Sequence, residues 1–253
     1  KNLKKKYPDT KFIIGDGIKS YWSTIFENNP NIIKSEDINN FSNIKWIHNY
    51  PHNRPYRNYS KELDKNKYNW NKDYKAIPGE IFFSNTEIEF SENIIKKINT
   101  KKKIIFIEPH VKKRRGFENW DWGFENWQSV VNNLKNEYLF LQCSFGDQKK
   151  LQNVISLHGT NFRAACSIMS KTDLFIGPHG GFNHAAAALN KKAVIIFGGW
   201  ISPKNVGYDF HTNIYIEHEM SPCGNKILCS HCKNCLKKIN VEDITQKIRN
   251  ILG

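Results

Sequence analysis

The stretch that most restricts the fold is residues 173–199, DLFIGPHGGFNHAAAALNKKAVIIFGG, where two apolar runs of strand length end in glycine and flank an alanine-rich run of helical length. Strand, helix and strand in succession form a crossover that sets the two strands parallel in one sheet. Small side chains over residues 185–188 let the intervening helix lie close to that sheet. In an open sheet of this kind, ligands bind beyond the carboxyl ends of the strands, where loops run into helix N-termini. Gly177 closes the first strand. Gly180 and Gly181 leave their N–H groups approachable, and the helix that starts near Phe182 adds the positive end of its dipole, so the loop suits a phosphate. His179 lies in that loop and His184 about one turn later; both can face one cleft, His179 also as a proton carrier, and His184 alternatively as a buried ring bonded to backbone.

The alternation extends through the second half of the chain. Residues 104–108 form an apolar run ended by Pro109, and residues 124–135 have helical spacing through Trp127, Val130, Val131 and Leu134. Strands are expected at 138–142 and 154–157, helices at 163–169 and 241–252. Strands alternating with helices imply a doubly wound parallel α/β sheet. In the first hundred residues two short runs, 11–15 and 45–48, read as strands of a smaller α/β unit. Residues 51–76 are rich in Asn, Tyr, Lys and Arg with almost no aliphatic side chain, which predicts a long irregular segment, with His52, Arg54, Tyr56 and Arg57 able to overhang a site. A boundary near Thr100 divides the chain into lobes 1–100 and 101–253. The sequence opens on Lys1 with residues of mid-domain character, so an incomplete N-terminal lobe is expected.

Thirty-eight Lys and Arg against 24 Asp and Glu give a formal charge of +14 over 253 residues, a balance that draws anionic partners: nucleic acid, an acidic membrane surface or a phosphorylated small molecule. The basic residues are scattered and form no recognised nucleic-acid motif, so no nucleic-acid partner is expected; a basic nucleic-acid-binding protein with a cysteine knuckle stands as the rival reading. No apolar run reaches 18 residues and no secretory pattern is visible, which fits a cytoplasmic protein with at most peripheral membrane contact. Cys143 and Cys166 stand alone, whereas Cys223, Cys229, Cys232 and Cys235 fall within thirteen residues. Four clustered thiols point to a structural zinc or iron before disulfides, with His231 or His218 able to replace one ligand; reduced thiols are the plain alternative.

Residues 173–199 resemble the donor-binding segment of glycosyltransferase family 9, the ADP-heptose:lipopolysaccharide heptosyltransferases and their relatives. The resemblance extends over residues 103–253. It takes in Glu108, Pro109, His110 and Lys112 after the first strand of the second lobe, the tryptophans from Trp120 to Trp127, the turn at His158, Gly159 and Thr160, and Gly198, Gly199 and Pro203 after a later strand. It implies a GT-B architecture, two Rossmann-like lobes facing across a cleft, with the nucleotide sugar on the second and the acceptor on the first. The loop departs from the pattern at His179 and Gly180, where heptosyltransferases usually carry Asp followed by Ser, Thr or Gly, so the donor is not fixed as ADP-heptose.

Transfer of heptose or a related sugar from a nucleotide diphosphate needs stabilisation of the departing charge and a base for the acceptor hydroxyl. No metal is required for the chemistry where hydrogen-bond donors and cations stabilise that charge. Lys112, Lys113, Arg114 and Arg115 follow a strand end and suit the diphosphate, with Lys112 matching the family's phosphate-contacting lysine; His110, Gly198 and Gly199 join them as donor contacts, and Arg163 is a weaker candidate. The family's base is an Asp in a Gly-Asp pair after the first N-terminal strand. Gly15 and Asp16 make such a pair, yet the preceding KKYPDTKFII reads as a helix end and a second strand, which would put the base upstream of Lys1. The acceptor implied is a glycan or glycoprotein of the bacterial envelope, reached at the inner face of the inner membrane. Relatives that glycosylate autotransporters hold iron with four cysteines, which favours a metal at the cluster. A GT-B sugar-nucleotide epimerase, needing no acceptor, is a further alternative.

Overall fold

A computed structural model describes residues 2–48, 54–111, 116–144, 146 and 148–253. In chain order the elements are α1 (Asn2–Lys6), β1 (Lys11–Gly15), β2 (Ile44–His48), α2 (Asn85–Ile98), β3 (Ile104–Ile107), α3 (Phe124–Leu134), β4 (Leu139–Ser144), β5 (Ile155–His158), α4 (Phe162–Ser170), β6 (Leu174–Pro178), α5 (Gly181–Ala188), β7 (Ala193–Gly198), α6 (Pro203–Val206), β8 (Thr212–Tyr215), α7 (Ser230–Lys237) and α8 (Val241–Leu252). β1 and β2 pair in parallel as a two-stranded sheet, and the other six strands form one sheet in the order β5-β4-β3-β6-β7-β8, every pair parallel.

Each central strand serves two cores. Because side chains alternate along a strand, Ile104 and Phe106 of β3 face one cluster with Phe175, Ala186, Ile195 and Phe197, while Ile105 and Ile107 face the other with Leu174, Ile176, Val194 and Ile196. The first cluster is covered by α4 and α5, whose Ile168, Met169 and Ala186 are fully buried; the second is covered by α3 and α8 through Trp127, Val130, Val131, Ile244 and Ile248. Burial on both faces is why these strands read as continuous apolar runs. Connections from β3 run outward through β4 to β5, and the chain then returns across β3 to β6. The strand order therefore reverses between β3 and β6, and the loops after these two strands diverge to leave a crevice at their carboxyl ends.

Segments from the first hundred residues lie on this sheet. α2 packs on α4. Its start is fixed by a capping box, the Ser84 side chain accepting from the Glu87 N–H and the Glu87 carboxylate accepting from the Ser84 N–H. The same carboxylate receives the guanidinium of Arg163 on α4, which is 4% exposed and also donates to the Phe82 and Thr24 carbonyls. One buried cation thus ties α2, the segment before it and the turn at Thr24 to the large sheet, and Arg163 is committed to this packing rather than to a phosphate.

Hydrogen bonds from Arg163 hold the Glu87 carboxyl below its ordinary pKa. The pair's contribution is therefore present above the usual carboxylate range and lost as pH falls through the lowered folded value. Replacing Arg163 by Ala strands the Glu87 carboxylate and two carbonyls, and urea unfolding at neutral pH is expected to show a loss of about 3–5 kcal/mol, a loss that shrinks as the medium is acidified.

Candidate functional site

A cavity of about 340 Å³ opens at the β3–β6 switch point. Its floor is the loop after β6, with Pro178, His179, Gly180 and Gly181 leading into α5; one side is Glu108, His110 and Val111 after β3; the opposite wall is aromatic. A methyl group built on Gly180 would meet nothing within 4 Å, whereas one on Gly177 would meet the Phe175 ring at 2.8 Å. Gly177 is therefore a packing position between strands, and Gly180 is the glycine that leaves room for a ligand above the α5 N-terminus.

The aromatic wall joins distant parts of the chain. Trp200 follows β7 and lies 4.4 Å from Trp120 and 5.1 Å from Trp70 between ring centroids. His179 is stacked between Phe197 at 5.3 Å and Trp200 at 5.7 Å. The Trp70 indole donates to the Trp200 carbonyl at 3.1 Å and the Trp200 indole to the Asn225 carbonyl at 2.7 Å. Asn119, fully buried, donates to the carbonyls of Asn225 and Ile227 and accepts from the Cys229 N–H. Residues 54–70 complete the wall. Arg57 forms a two-pronged bond with Glu62 and lies over the rings of Tyr59 and Tyr68, while Arg54 donates to the Tyr56 hydroxyl. Tyr68 N–H bonds the Gly224 carbonyl and Lys226 N–H the Asn66 carbonyl, so this segment is laced onto the cysteine loop.

Three histidines line the cavity. His110 Nδ1 lies 2.9 Å from the Glu108 carboxylate. His184 Nδ1 lies 2.8 Å from the Tyr208 hydroxyl. Burial pushes the Tyr208 phenol up to about 12, and crowding by its neighbours lowers the pKa of His184 although the residue as a whole is exposed. A protonated phenol that donates to Nδ1 leaves Nε2–H free to donate into the cavity. Behind α5, His211 meets the buried Asn183 side chain at 3.2 Å, and its pKa falls to about 4 through burial.

Other expected residues lie elsewhere. Gly198 and Gly199 face α7 rather than the cavity: a methyl group would meet the Leu236 side chain at 2.9 Å from the first and Cys235 Sγ at 2.6 Å from the second. The Asp16 carboxylate is taken up by its own turn, accepting from the N–H groups of Lys19 and Ile18 and from the Tyr21 hydroxyl, which bring its pKa down to about 2, and it is not among the cavity's lining residues. Lys112, Lys113, Arg114 and Arg115, like Tyr50 and His52, lie outside the described residues. The Sγ atoms of Cys223, Cys229 and Cys232 lie within 4.8 Å of one another, all buried. Cys235 is set apart, its Sγ 3.6 Å from His231 Nε2. Within the trio, the Cys223 and Cys232 sulfurs are 2.8 Å apart; the bond from Cys232 lowers the Cys223 pKa, and the Asn225 amide donates to Cys229 Sγ at 3.0 Å. His231 bonds Ser221 Oγ instead of joining the three sulfurs.

A family model described as glycosyltransferase family 9 (heptosyltransferase) matches residues 62–234. The chain belongs to this family. Its match takes in the glycine loop, the tryptophans of the aromatic wall and all but the last of the clustered cysteines. A structure of E. coli ADP-heptose lps heptosyltransferase II has a TM-score of 0.51 at 15% identity, over 68% of this chain and 53% of its own. A family 9 glycosyl transferase from Veillonella parvula DSM 2008 has a TM-score of 0.53 at 14% identity, over 70% of this chain and 55% of its own. These likenesses are of fold: a parallel α/β architecture of the GT-B type. The chain spans about half the length of those two structures. The iron-containing dodecameric glycosyltransferase TibC of enterotoxigenic E. coli, with a TM-score of 0.48 at 14% identity over 60% of this chain and 45% of its own, is too distant to bear on metal or assembly. No curated protein matches the sequence.

Several wall residues carry no local signal in the sequence. Trp70 and Trp200 meet across 130 positions, and Tyr208 lies beyond any motif. Asn119 is the readable exception in type, since a polar side chain between Phe117 and Trp120 has to be satisfied once buried. Asn119→Ala removes three hydrogen bonds at once, each unpaired group costing about 1–3 kcal/mol. Thermal unfolding should show a marked loss of stability, and the Cys229 amide should exchange with solvent far faster than in the parent chain.

Proposed function

We propose that this chain is the donor-binding part of a sugar transferase that takes a nucleoside-diphosphate sugar, heptose or a relative, and delivers the sugar to a bacterial envelope glycan or glycoprotein. The observation that carries the reading is Gly180 and Gly181 at the N-terminus of α5, open to a cavity at the strand-order switch point and walled by aromatic rings. Backbone N–H groups and the α5 dipole suit the diphosphate. Rings of Trp120, Trp200 and Tyr68 suit the flat faces of a base or sugar. His184, held by Tyr208, is assigned as a neutral donor to the leaving group, and His179, stacked and half-buried, as a wall of the donor pocket and a second donor. Lys112, Lys113 and Arg114 follow β3 in sequence and are assigned to the same charge. The division into an acceptor-side lobe, residues 1–100, and a donor lobe, residues 101–253, belongs to this proposal, with residues 54–70 and α2 reaching across. Asp16 is assigned to holding its turn, so the base for the acceptor hydroxyl is sought on the acceptor side outside that turn. Action at the cytoplasmic face of the inner membrane belongs to the same proposal; among the described residues no helix is long and apolar enough to cross a membrane.

Three converging buried thiols, one already hydrogen-bonded by an amide, fit a thiophilic metal such as zinc or iron. Cys223, Cys229 and Cys232 would hold it, and its contribution would be to fix the loop whose Asn225 and Gly224 carbonyls anchor Trp200 and Tyr68. No step of sugar transfer is assigned to it. Zinc titration against a chromophoric chelator should find one site that Cys232→Ser removes and Cys235→Ser retains; loss with both variants would move Cys235 into the ligand set.

The donor reading is tested by thermal shift with ADP, GDP and UDP and their sugars. Stabilisation by at least one nucleotide, lost or weakened at least about tenfold in Gly180→Ala with the unliganded melting temperature unchanged, is the expected result. No shift with any of them would sink both transfer and epimerisation. Binding of single-stranded nucleic acid that collapses with salt would favour the nucleic-acid rival instead. Sugar transferred to acceptor, as against inverted in the nucleotide, separates transferase from epimerase.

A further inference from the structure

We propose that Arg54 is the cation that residues 54–70 contribute to the donor cavity, and that its guanidinium binds the diphosphate from the wall facing the α5 N-terminus. The inference rests on the donor-site reading above and names a specificity-determining residue of that site. Its basis is a contrast between two arginines three positions apart.

Arg54 and Arg57 both line the cavity. The Arg57 guanidinium is spent within its own segment. Its Nε and Nη2 donate to the two Glu62 oxygens at 2.8 and 2.7 Å, and it lies 4.2 Å from the centre of the Tyr59 ring and 4.3 Å from that of Tyr68. The Arg57 and Glu62 side chains are 14% and 11% exposed, so this pair is a closed unit of the wall. Arg54 is exposed and has a different partner: its Nη1 donates to the Tyr56 hydroxyl at 3.0 Å. Among the described residues no carboxylate pairs with it. A hydroxyl orients a guanidinium without cancelling its charge, and the rest of the five-donor fork is left for an incoming acceptor. Tyr56 is itself held, half-buried against Trp70 and Tyr74 at 6.3 and 6.2 Å between ring centroids, with its carbonyl accepting from the Asn71 N–H at 2.9 Å. The Arg54 main-chain N–H donates to the Tyr59 hydroxyl at 3.3 Å, so backbone and guanidinium are both anchored to the wall.

Charge decides what that acceptor is. The α5 N-terminus offers a diphosphate about half a unit of positive charge, His184 is assigned as a neutral donor, and Glu108 adds a carboxylate to the lining. Among the described lining residues the Lys and Arg side chains are those of Arg54 and Arg57, and Arg57 is already committed. A cavity of about 340 Å³ is the size of a single small-ligand site, so a nucleotide seated on Gly180 shares one volume with Arg54. Arginine binds phosphate through two parallel N–H···O bonds, a match that the point charge of a lysine does not reproduce. Donor binding on these terms joins residues 54–70 to the loop after β6.

The test is calorimetric titration of the 253-residue chain with ADP, GDP and UDP, each variant's unliganded melting temperature being measured alongside. Arg54→Gln should weaken the nucleotide that binds by about tenfold or more, Arg54→Glu should weaken it further, and Arg54→Lys should fall between the parent and Arg54→Gln. Melting temperatures should stay at the parent value, since the side chain is exposed. Lys149→Gln, which removes an exposed charge outside the cavity, should leave binding unchanged. Parental affinity in Arg54→Gln, equal losses in the Gln and Glu variants, a melting temperature that falls with affinity, or a loss in Lys149→Gln as large as that in Arg54→Gln overturns the role of Arg54 and leaves the donor site standing. Absence of binding by every nucleotide to the parent chain overturns both.

Discussion

The Trp200 indole is the contact on which the site's geometry hangs. Its N–H is spent on the Asn225 carbonyl, the backbone carbonyl of the same residue accepts from the Trp70 indole, and its ring covers His179 and meets Trp120. An indole has one donor and no acceptor, so its orientation is set once that donor is satisfied. Here the satisfied donor points away from the cavity, which leaves ring faces as lining. Three segments that share no regular secondary structure, the 54–70 stretch, the residues after β7 and the cysteine loop, all meet at this one residue. That arrangement explains how a wall built of loops can be buried: the loops satisfy their polar groups on each other.

The large sheet beneath supplies the other half of the site, and its contribution is positional. Reversal of strand order between β3 and β6 opens a crevice whatever the side chains are, and the α5 N-terminus then points a dipole into it. What distinguishes this chain is the chemistry grafted there. A histidine occupies the loop position where heptosyltransferases usually carry an aspartate, and the acidic group of the crevice is instead Glu108, across the gap on β3 and already engaged by His110. A crevice whose lining carboxylate is already hydrogen-bonded by its neighbour meets an anion in a different way from one that presents a free carboxylate.

Much of the sheet was readable because its strands are buried on both faces. Continuous runs such as IIFI at β3 and AVIIF at β7, punctuated by glycine and proline, have few other readings, and α8 follows from its apolar spacing. β8 is half-buried at the sheet's edge and too short to show a pattern. α2 has only Ser91 fully buried and looks polar along its length, yet its capping box, Ser84 followed by Glu87 three residues later, is a local signal that sequence reading passed over. In the site, the glycine loop, His110 and His179 sit directly after strands and could be found from the strands, and His184 lies on the helix that the glycine loop opens. The aromatic wall could not, since Trp70, Trp120 and Trp200 become neighbours only through the tertiary fold. The cysteines show both sides of this: their clustering was plain, but that Cys235 turns to His231 while the other three converge depends on how α7 lies against Gly199.

The pairing of β3 with β6 also sets a temporal order on assembly. Ile104 N–H is satisfied by the Asp173 carboxylate 69 positions later, and the intervening residues contain two strands and two helices that must be placed on one side before the sheet can grow on the other. During synthesis from the N-terminus, β3, β4 and β5 can associate while β6 is still unmade, with one long edge of β3 exposed. Long-range parallel pairing of this sort is slow and leaves sticky edges in the interim. The crevice therefore comes into being at a single late event, the docking of β6 along β3, and until then the chain has its future ligand loops without a place to hold a ligand.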